Sequence, residues 1–180
     1  MNVCIFCGSS AGKDAVYAEA ARETGEILAR AGHTLIYGGG NVGLMGIVAD
    51  AALSAGGKVV GVIPDFLIKR EVGHRGLTEL IEVRSMHERK KKMADLTDAF
   101  VALPGGWGTL DELAEILTWR QLGLINQPIG LLNINSFFSP LISQMETMLE
   151  NGFIRSENMK FLTVEKTPAK LLTALGVVTV

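Results

Sequence analysis

The sequence predicts an α/β fold, a mostly parallel sheet with helices on both faces, and three observations carry that reading. Short apolar runs bounded by glycine alternate nearly throughout with longer segments of helical period. Such a βαβα order requires right-handed crossovers, which lay helices over both faces of a parallel sheet. The chain has 180 residues, 48% of them hydrophobic, enough to bury roughly 70% of its unfolded surface in one core and too little for two. A single domain over residues 1–180 is expected, with no internal repeat, low-complexity tract or long linker.

Each element follows from its local pattern. Strands are predicted at 2–6 (NVCIF), 34–37 (TLIY), 58–63 (KVVGVI), 79–83 (ELIEV), 99–103 (AFVAL), 128–132 (PIGLL) and 161–164 (FLTV). Between them the 3.6-residue period predicts helices at 14–31, 43–55, 86–97, 109–123, 138–151 and 167–175. The stretch 64–78, PDFLIKREVGHRGLT, has neither period and reads as a loop with a short helical turn, lying over the strand ends.

Charge and termini exclude several classes. Seventeen basic against 19 acidic side chains give a net charge of -2, which leaves no broad basic field for nucleic acid. The opening MNVCIFCGSS has no basic n-region, and no stretch approaches the ~18 to 20 apolar residues of a membrane span, so a cytoplasmic protein is expected. Cys4 and Cys7 form a C-x-x-C, but on a strand residues three apart point to opposite faces and no further metal ligands lie nearby. Packed core thiols are the expectation, with no metal.

Ligands of a parallel sheet gather at the carboxyl ends of its strands, and two glycine-rich turns fall there. In GGGNVGLMG, 38–46, Gly38, Gly40 and Gly43 satisfy G-x-G-x-x-G just before a helix. With Gly39 and Asn41 they form a candidate phosphate loop, because glycine lets backbone N–H groups approach an anion at a helix N-terminus. As a dinucleotide fingerprint the turn is misplaced, since it follows the second strand, and Asp65 beside Pro64 is a poor ribose-binding acid. The second turn is PGGWGTLDE, 104–112; two such turns suggest one phosphate-bearing ligand held from two sides. Thr109 and Glu112 have the T-x-x-E spacing of a capping box, which competes with a substrate-facing role for Glu112. Its position in a first turn directly after a glycine loop favours the substrate.

The segment SMHERKKKM, 85–93, begins a helix with the S-x-x-E of Ser85 and Glu88. Met86, Arg89, Met93 and Leu96 then fall on one stripe, with Lys90 at its edge and Lys91 and Lys92 turned away. An arginine among apolar positions requires an anion, either a carboxylate or a substrate phosphate or ribose. His74 and His87 read as hydrogen-bonding or surface residues before catalytic ones.

PGGWGTLDE matches the P-G-G-x-G-T-x-x-E signature, and MHERKKKM matches the M-H-x-R-K-x-x-M, of the Lonely Guy family, the cytokinin riboside 5′-monophosphate phosphoribohydrolases. The chain resembles that family over essentially its whole length, from CIFCGSS through YGGGNVGLMG to TWRQLGLINQPIGLLN. The resemblance implies a Rossmann-like fold, a homodimer and hydrolysis of the N-glycosidic bond between an adenine-type base and ribose 5-phosphate. It implies Arg89 and Glu112 as the catalytic pair, and Lys90, Gly106, Trp107, Gly108, Thr109, Leu110, Asp111 and Thr118 as substrate-binding residues. Glu71 joins them, although EVGHRG departs from the family's E-I-T-G run. Some relatives have been named lysine decarboxylase, but no recognisable pyridoxal phosphate lysine or phosphate cup stands in this sequence.

Bond cleavage would build oxocarbenium-like charge on the ribose, which Glu112 would stabilise while it orients water. Arg89 would hold the ribose phosphate and pair with Glu112, keeping the carboxylate ionised near neutral pH. No cofactor is expected. Two other classes use the same glycine turns, a non-catalytic nucleotide-binding or carrier protein and an NAD-type oxidoreductase, the latter disfavoured by where its fingerprint falls. The helix at 109–123 carries Leu110, Leu113 and Leu117 on one side and Ile116, Trp119 and Leu122 around another, an apolar surplus that a twofold dimer would cover.

Overall fold

The structure, a computed structural model, describes residues 1–71 and 73–179, the side chains of residues 69–71 excepted. Its strands are β1 (Asn2–Phe6), β2 (Thr34–Tyr37), β3 (Lys58–Pro64), β4 (Glu79–Val83), β5 (Ala99–Ala102), β6 (Ile129–Leu132) and β7 (Leu162–Glu165). All pair in parallel, in the order β4-β3-β2-β1-β5-β6-β7. The helices are α1 (Ala15–Arg30), α2 (Gly43–Ser54), α3 (Asp65–Glu71), α4 (Met86–Asp95), α5 (Trp107–Gln121), α6 (Ser139–Glu150), α7 (Ser156–Met159) and α8 (Pro168–Ala174). The architecture is the expected doubly covered Rossmann-like sheet. Among the described residues no helix is long and apolar enough to cross a membrane.

The period-2 alternation of the strands divides the core. Val3, Ile5, Leu35, Tyr37, Val59 and Val101 face α1, α2 and α8 on one side. Cys4, Phe6, Ile36, Val62, Phe100 and Ala102 face α4, α5 and α6 on the other. Cys7 belongs to the first cluster and Cys4 to the second, so the two free thiols lie on opposite faces. From β1 the chain winds outward through β2, β3 and β4, then α4 carries it back to β5 on the other side of β1. The junction of β1 and β5 is therefore the topological switch point, where the divergent loops leave a crevice at the strands' carboxyl ends.

Several boundaries differ from the sequence reading, each for a physical reason. The 64–78 stretch holds a seven-residue helix, α3, rather than a single turn, followed by a bridge between Gly40 and Gly73. Helix α5 begins at Trp107, two residues early, with Gly106 as N-cap. Thr109 cannot cap it, since Thr109 is buried beneath Gly105, where an added Cβ would come within 2.0 Å of its hydroxyl oxygen. The predicted Thr109–Glu112 capping box does not form, and Glu112 sits in the second turn. The short α7 was not foreseen because its four residues, SENM, carry no apolar period.

Helices α1 and α2 touch through backbone. A Cβ on Gly25 of α1 would lie 2.4 Å from the Val48 carbonyl oxygen of α2. In a free helix Gly→Ala stabilises by about 1 kcal/mol, so Gly25→Ala reports the contact directly. We expect it to destabilise by about 2 kcal/mol in urea denaturation, because α1 must be lifted off α2; equal or higher stability would show that the interface gives way freely.

Candidate active site

A cleft of about 150 Å³ opens at the switch point, lined by Ile5, Cys7, Gly8, Ser9, Gly38, Met45, Arg89, Gly106, Trp107, Gly108, Thr109 and Glu112. Three loops meet there, those after β1, β2 and β5, because these strands are neighbours in the sheet. Gly8 and Ser9 were not singled out from the sequence. Their signal was their place after the most central strand, which is legible only once the strand order is known. A roomier groove of about 340 Å³ lies elsewhere, between α5, α6, α7 and β7. Its lining is largely leucine, isoleucine, methionine and phenylalanine, so the smaller cleft is the one with chemistry.

Arg89 reaches the cleft because α4 starts where the sequence says. Ser85 Oγ accepts from the Glu88 amide at 3.1 Å, and Glu88 Oε2 accepts from the Arg84 amide at 2.7 Å. Arg89 then shares the inner stripe with Met93 and is buried. Its Nε donates to the Val62 carbonyl and its Nη2 to the Gly38 carbonyl, both at 3.1 Å. A Cβ on Gly38 would fall 1.8 Å from Nη2, so this position has room for nothing larger than glycine. Arg89 and Glu112 do not form the expected pair: the ion pairs of the described residues include none between them. The guanidinium has spent its inner donors on strand-end carbonyls.

Glu112 is 9% exposed. Burial pushes its carboxyl up to about 7; the Arg89 charge opposes that rise without cancelling it, and Asp111 adds to it. The expectation that Arg89 keeps Glu112 ionised near neutral pH is thus corrected: there the carboxyl is poised between its two forms. Beside it the Cys7 thiol is pushed far up by burial and by Glu112, and stays protonated.

The two glycine turns differ in what their backbones face. At the first, the α2 amides of Leu44 and Met45 already donate to the Gly8 carbonyl at 3.0 and 3.3 Å. The carbonyls of Gly38, Gly39 and Gly40 accept from Arg89, the His74 amide and the Tyr37 hydroxyl. Asn41 is exposed and lies outside the cleft, and Gly43, at φ +60°, is pressed against Ser9 and Ser10. At the second turn no side chain caps α5, and among the described residues the amides of Trp107, Gly108 and Thr109 have no acceptor. These free donors stand at the positive end of a fifteen-residue helix, the geometry of a candidate anion site.

Of the remaining implied residues, Trp107 stands at the rim, 88% exposed. Lys90 lies outside the cleft lining, its Nζ 3.1 Å from Asp111 Oδ2 and 3.2 Å from Glu115 Oε2, so it ties α4 to α5. Leu110 and Thr118 line the apolar groove on the other side of α5, and the Thr118 hydroxyl donates to the Ala114 carbonyl at 2.8 Å. The Glu71 side chain lies outside the described residues. His87 is exposed, His74 is buried, and Asp65 Oδ1 accepts from the Phe66 amide at 2.7 Å. Among the described residues no three His, Cys, Asp or Glu side chains gather to hold a metal.

Fold and cleft together define a Rossmann-like α/β protein whose strand-end cleft holds an uncapped helix N-terminus, a buried arginine and a buried glutamate. Comparison narrows it. A family model described as possible lysine decarboxylase matches residues 45–175. The chain is 46% identical over 173 residues to a probable cytokinin riboside 5′-monophosphate phosphoribohydrolase of Oryza sativa subsp. japonica, covering 96% of this chain and 71% of that protein. It is 45% identical over 170 residues to a cytokinin riboside 5′-monophosphate phosphoribohydrolase of Arabidopsis thaliana, covering 94% of this chain and 79% of the relative. The molybdenum cofactor carrier protein of Chlamydomonas reinhardtii superposes with a TM-score of 0.74 over 97% of this chain and 95% of its own, at 22% identity, which shows a shared fold alone. The chain belongs to the Lonely Guy family, that of the cytokinin riboside 5′-monophosphate phosphoribohydrolases.

The buried carboxyl makes a stability prediction. Folded Glu112 holds its proton up to about 7 against an ordinary 4.5, so unfolding releases a proton between those values and stability falls as pH rises through them. The ionised form therefore costs the fold up to about 3 kcal/mol above pH 7. Glu112→Gln should raise Tm at pH 8 and leave it nearly unchanged at pH 4; calorimetry at the two pH values checks both.

Proposed function

We propose that this chain hydrolyses the N-glycosidic bond of cytokinin riboside 5′-monophosphates or AMP-like purine nucleoside 5′-monophosphates, releasing free base and ribose 5-phosphate. The observation that carries the reading is one cleft that holds free α5 amides, a buried guanidinium and a buried carboxyl at about 7. The names of the relatives at 45 and 46% identity support the same activity, and favour it over a carrier.

The 5′-phosphate sits on the amides of Trp107, Gly108 and Thr109, where the α5 dipole adds to their attraction. Among the described residues Arg89 Nη1 has only the Met86 sulfur, 3.8 Å away, as a protein partner, and it turns to the ribose phosphate or hydroxyls. Glu112 then lies against the sugar. As the bond from C1′ to the base nitrogen breaks, its electron pair leaves with the base and cationic charge grows on the ribose, which favours ionised Glu112. The carboxylate orients a water whose oxygen bonds to C1′ and takes up its proton, a task suited to a group near 7, while the departing base nitrogen gains a proton from solvent and Glu112 later returns its own. Lys90, braced by Asp111 and Glu115, holds the helix of Arg89 against the helix of Glu112.

Binding energy from the phosphate places the ribose for reaction, so its loss lowers turnover as well as affinity. With free base followed by chromatography, AMP and isopentenyl-AMP should be cleaved, and adenosine should show kcat/KM lower by about 100-fold or more. Below pH 7 kcat/KM should fall as Glu112 takes its proton. Comparable cleavage of adenosine, or tight nucleotide binding with no base released, would refute the reading.

The apolar groove on the outer side of α5, lined by Leu110, Leu117, Met145, Met148 and Phe161, supports a homodimer in which a second copy covers it. The free buried thiols Cys4 and Cys7 fit a reducing cytoplasm. Light scattering at low micromolar concentration should give twice the chain mass, and Leu117→Lys should shift it to monomer with reduced activity; a fully active monomer would refute the dimer.

A further inference from the structure

Beyond the residues that face the cleft, one buried histidine and one exposed aspartate are linked by hydrogen bonds to the loop that gives Arg89 an acceptor. Three successive glycines, Gly38, Gly39 and Gly40, form the seat of Arg89, and no other backbone is so free to turn its carbonyls. Each carbonyl is nevertheless taken by a different partner. Arg89 Nη2 donates to Gly38, the His74 amide to Gly39 at 3.1 Å, and the Tyr37 hydroxyl to Gly40 at 3.1 Å. Gly40 also bridges to Gly73, next to His74.

The segment that performs this clamping is held by the His74 ring. His74 is 7% exposed and is not part of the lining of the cleft. Its Nδ1 accepts from the Gly76 amide at 3.1 Å, which leaves the proton on Nε2, and Nε2 donates to Asp50 Oδ1 of α2 at 2.8 Å. Asp50 sits on the outer surface of α2 with its side chain 65% exposed. A chain of directed bonds therefore runs from α2 through Asp50, His74 and the Gly39 carbonyl to the loop whose neighbouring carbonyl orients Arg89. A buried histidine satisfied only for its own sake would need no backbone bond to that loop.

We propose that Asp50 and His74 are positioning residues for the hydrolysis: they fix the Gly38–Gly40 loop and, through it, the guanidinium of Arg89. The proposal rests on the function given above, and its test separates the two. Asp50→Ala replaces an exposed helical residue by a better helix former, so the variant folds. Hydrogen exchange needs no activity: amides of residues 38–46 should exchange faster in Asp50→Ala than in the parent or in Asp50→Asn, whose amide oxygen still accepts from His74.

For turnover, Asp50→Ala should lower kcat/KM for AMP about fivefold at a temperature well below Tm, and Asp50→Asn should restore most of it. A less well-placed Arg89 opposes the burial of Glu112 less, so the acid limb of the pH profile should move to higher pH in Asp50→Ala and stay put in Asp50→Asn. A purely structural loss would lower Tm without moving that limb. Unchanged exchange at 38–46 overturns the proposal, as does faster exchange with unchanged turnover and pH profile. Absence of hydrolysis by the parent refutes the function instead, and leaves the exchange result to decide the clamp.

Discussion

A guanidinium taken out of water must be given acceptors, and most of the geometry of this cleft answers that demand. Arg89 finds them in main chain, at the carbonyls of Val62 and Gly38, rather than in a carboxylate. Main-chain acceptors leave the positive charge uncancelled, so the cation stays available to an anionic ligand. They also impose a cost elsewhere in the sequence. Gly38 has no room for a side chain, and Gly61 of β3 has none either, since a Cβ there would lie 2.7 Å from the Gly39 Cα that folds across it. Burying one arginine thus dictates glycine at positions far apart in the chain.

The same choice explains the state of Glu112. With the guanidinium directed at the strand ends, the Arg89 charge offsets the burial of the carboxyl only in part, and burial prevails. A carboxyl destabilised in its charged form gains most when positive charge develops beside it, which is how an unfavourable burial becomes useful chemistry. The fold tolerates it because the surrounding elements, β1, α4 and α5, are held by core packing of Cys4, Phe6, Met93 and Leu113 on the same face of the sheet.

The two glycine turns look alike as strings and do different work. The turn after β2 directs its carbonyls inward to hold Arg89, and the helix that follows gives its first free amides to Gly8. The turn after β5 leaves its helix uncapped, with amides open to the cleft. Helix α5 joins this site to the apolar groove, because Glu112 faces one and Leu110, Leu117 and Thr118 face the other. Whatever covers the groove therefore bears on the helix that carries the carboxyl.

By itself the sequence determined the seven strands and the helices other than α3 and α7, the parallel sheet, the cap of α4 at Ser85, and an inward stripe carrying Arg89, since periodicity and caps depend on residues within a few positions of one another. Its two motifs also sufficed to place the chain in its family. Only the tertiary structure decided that the β1 loop with Gly8 and Ser9 completes the cleft, that α5 starts at Trp107 without a side-chain cap, and that the His74 amide bonds to the Gly39 carbonyl. It also decided that Arg89 bonds to carbonyls and leaves Glu112 poised near 7. Those outcomes depend on which strand ends become neighbours and on how much water each group loses there, and neither quantity exists until distant segments have packed together.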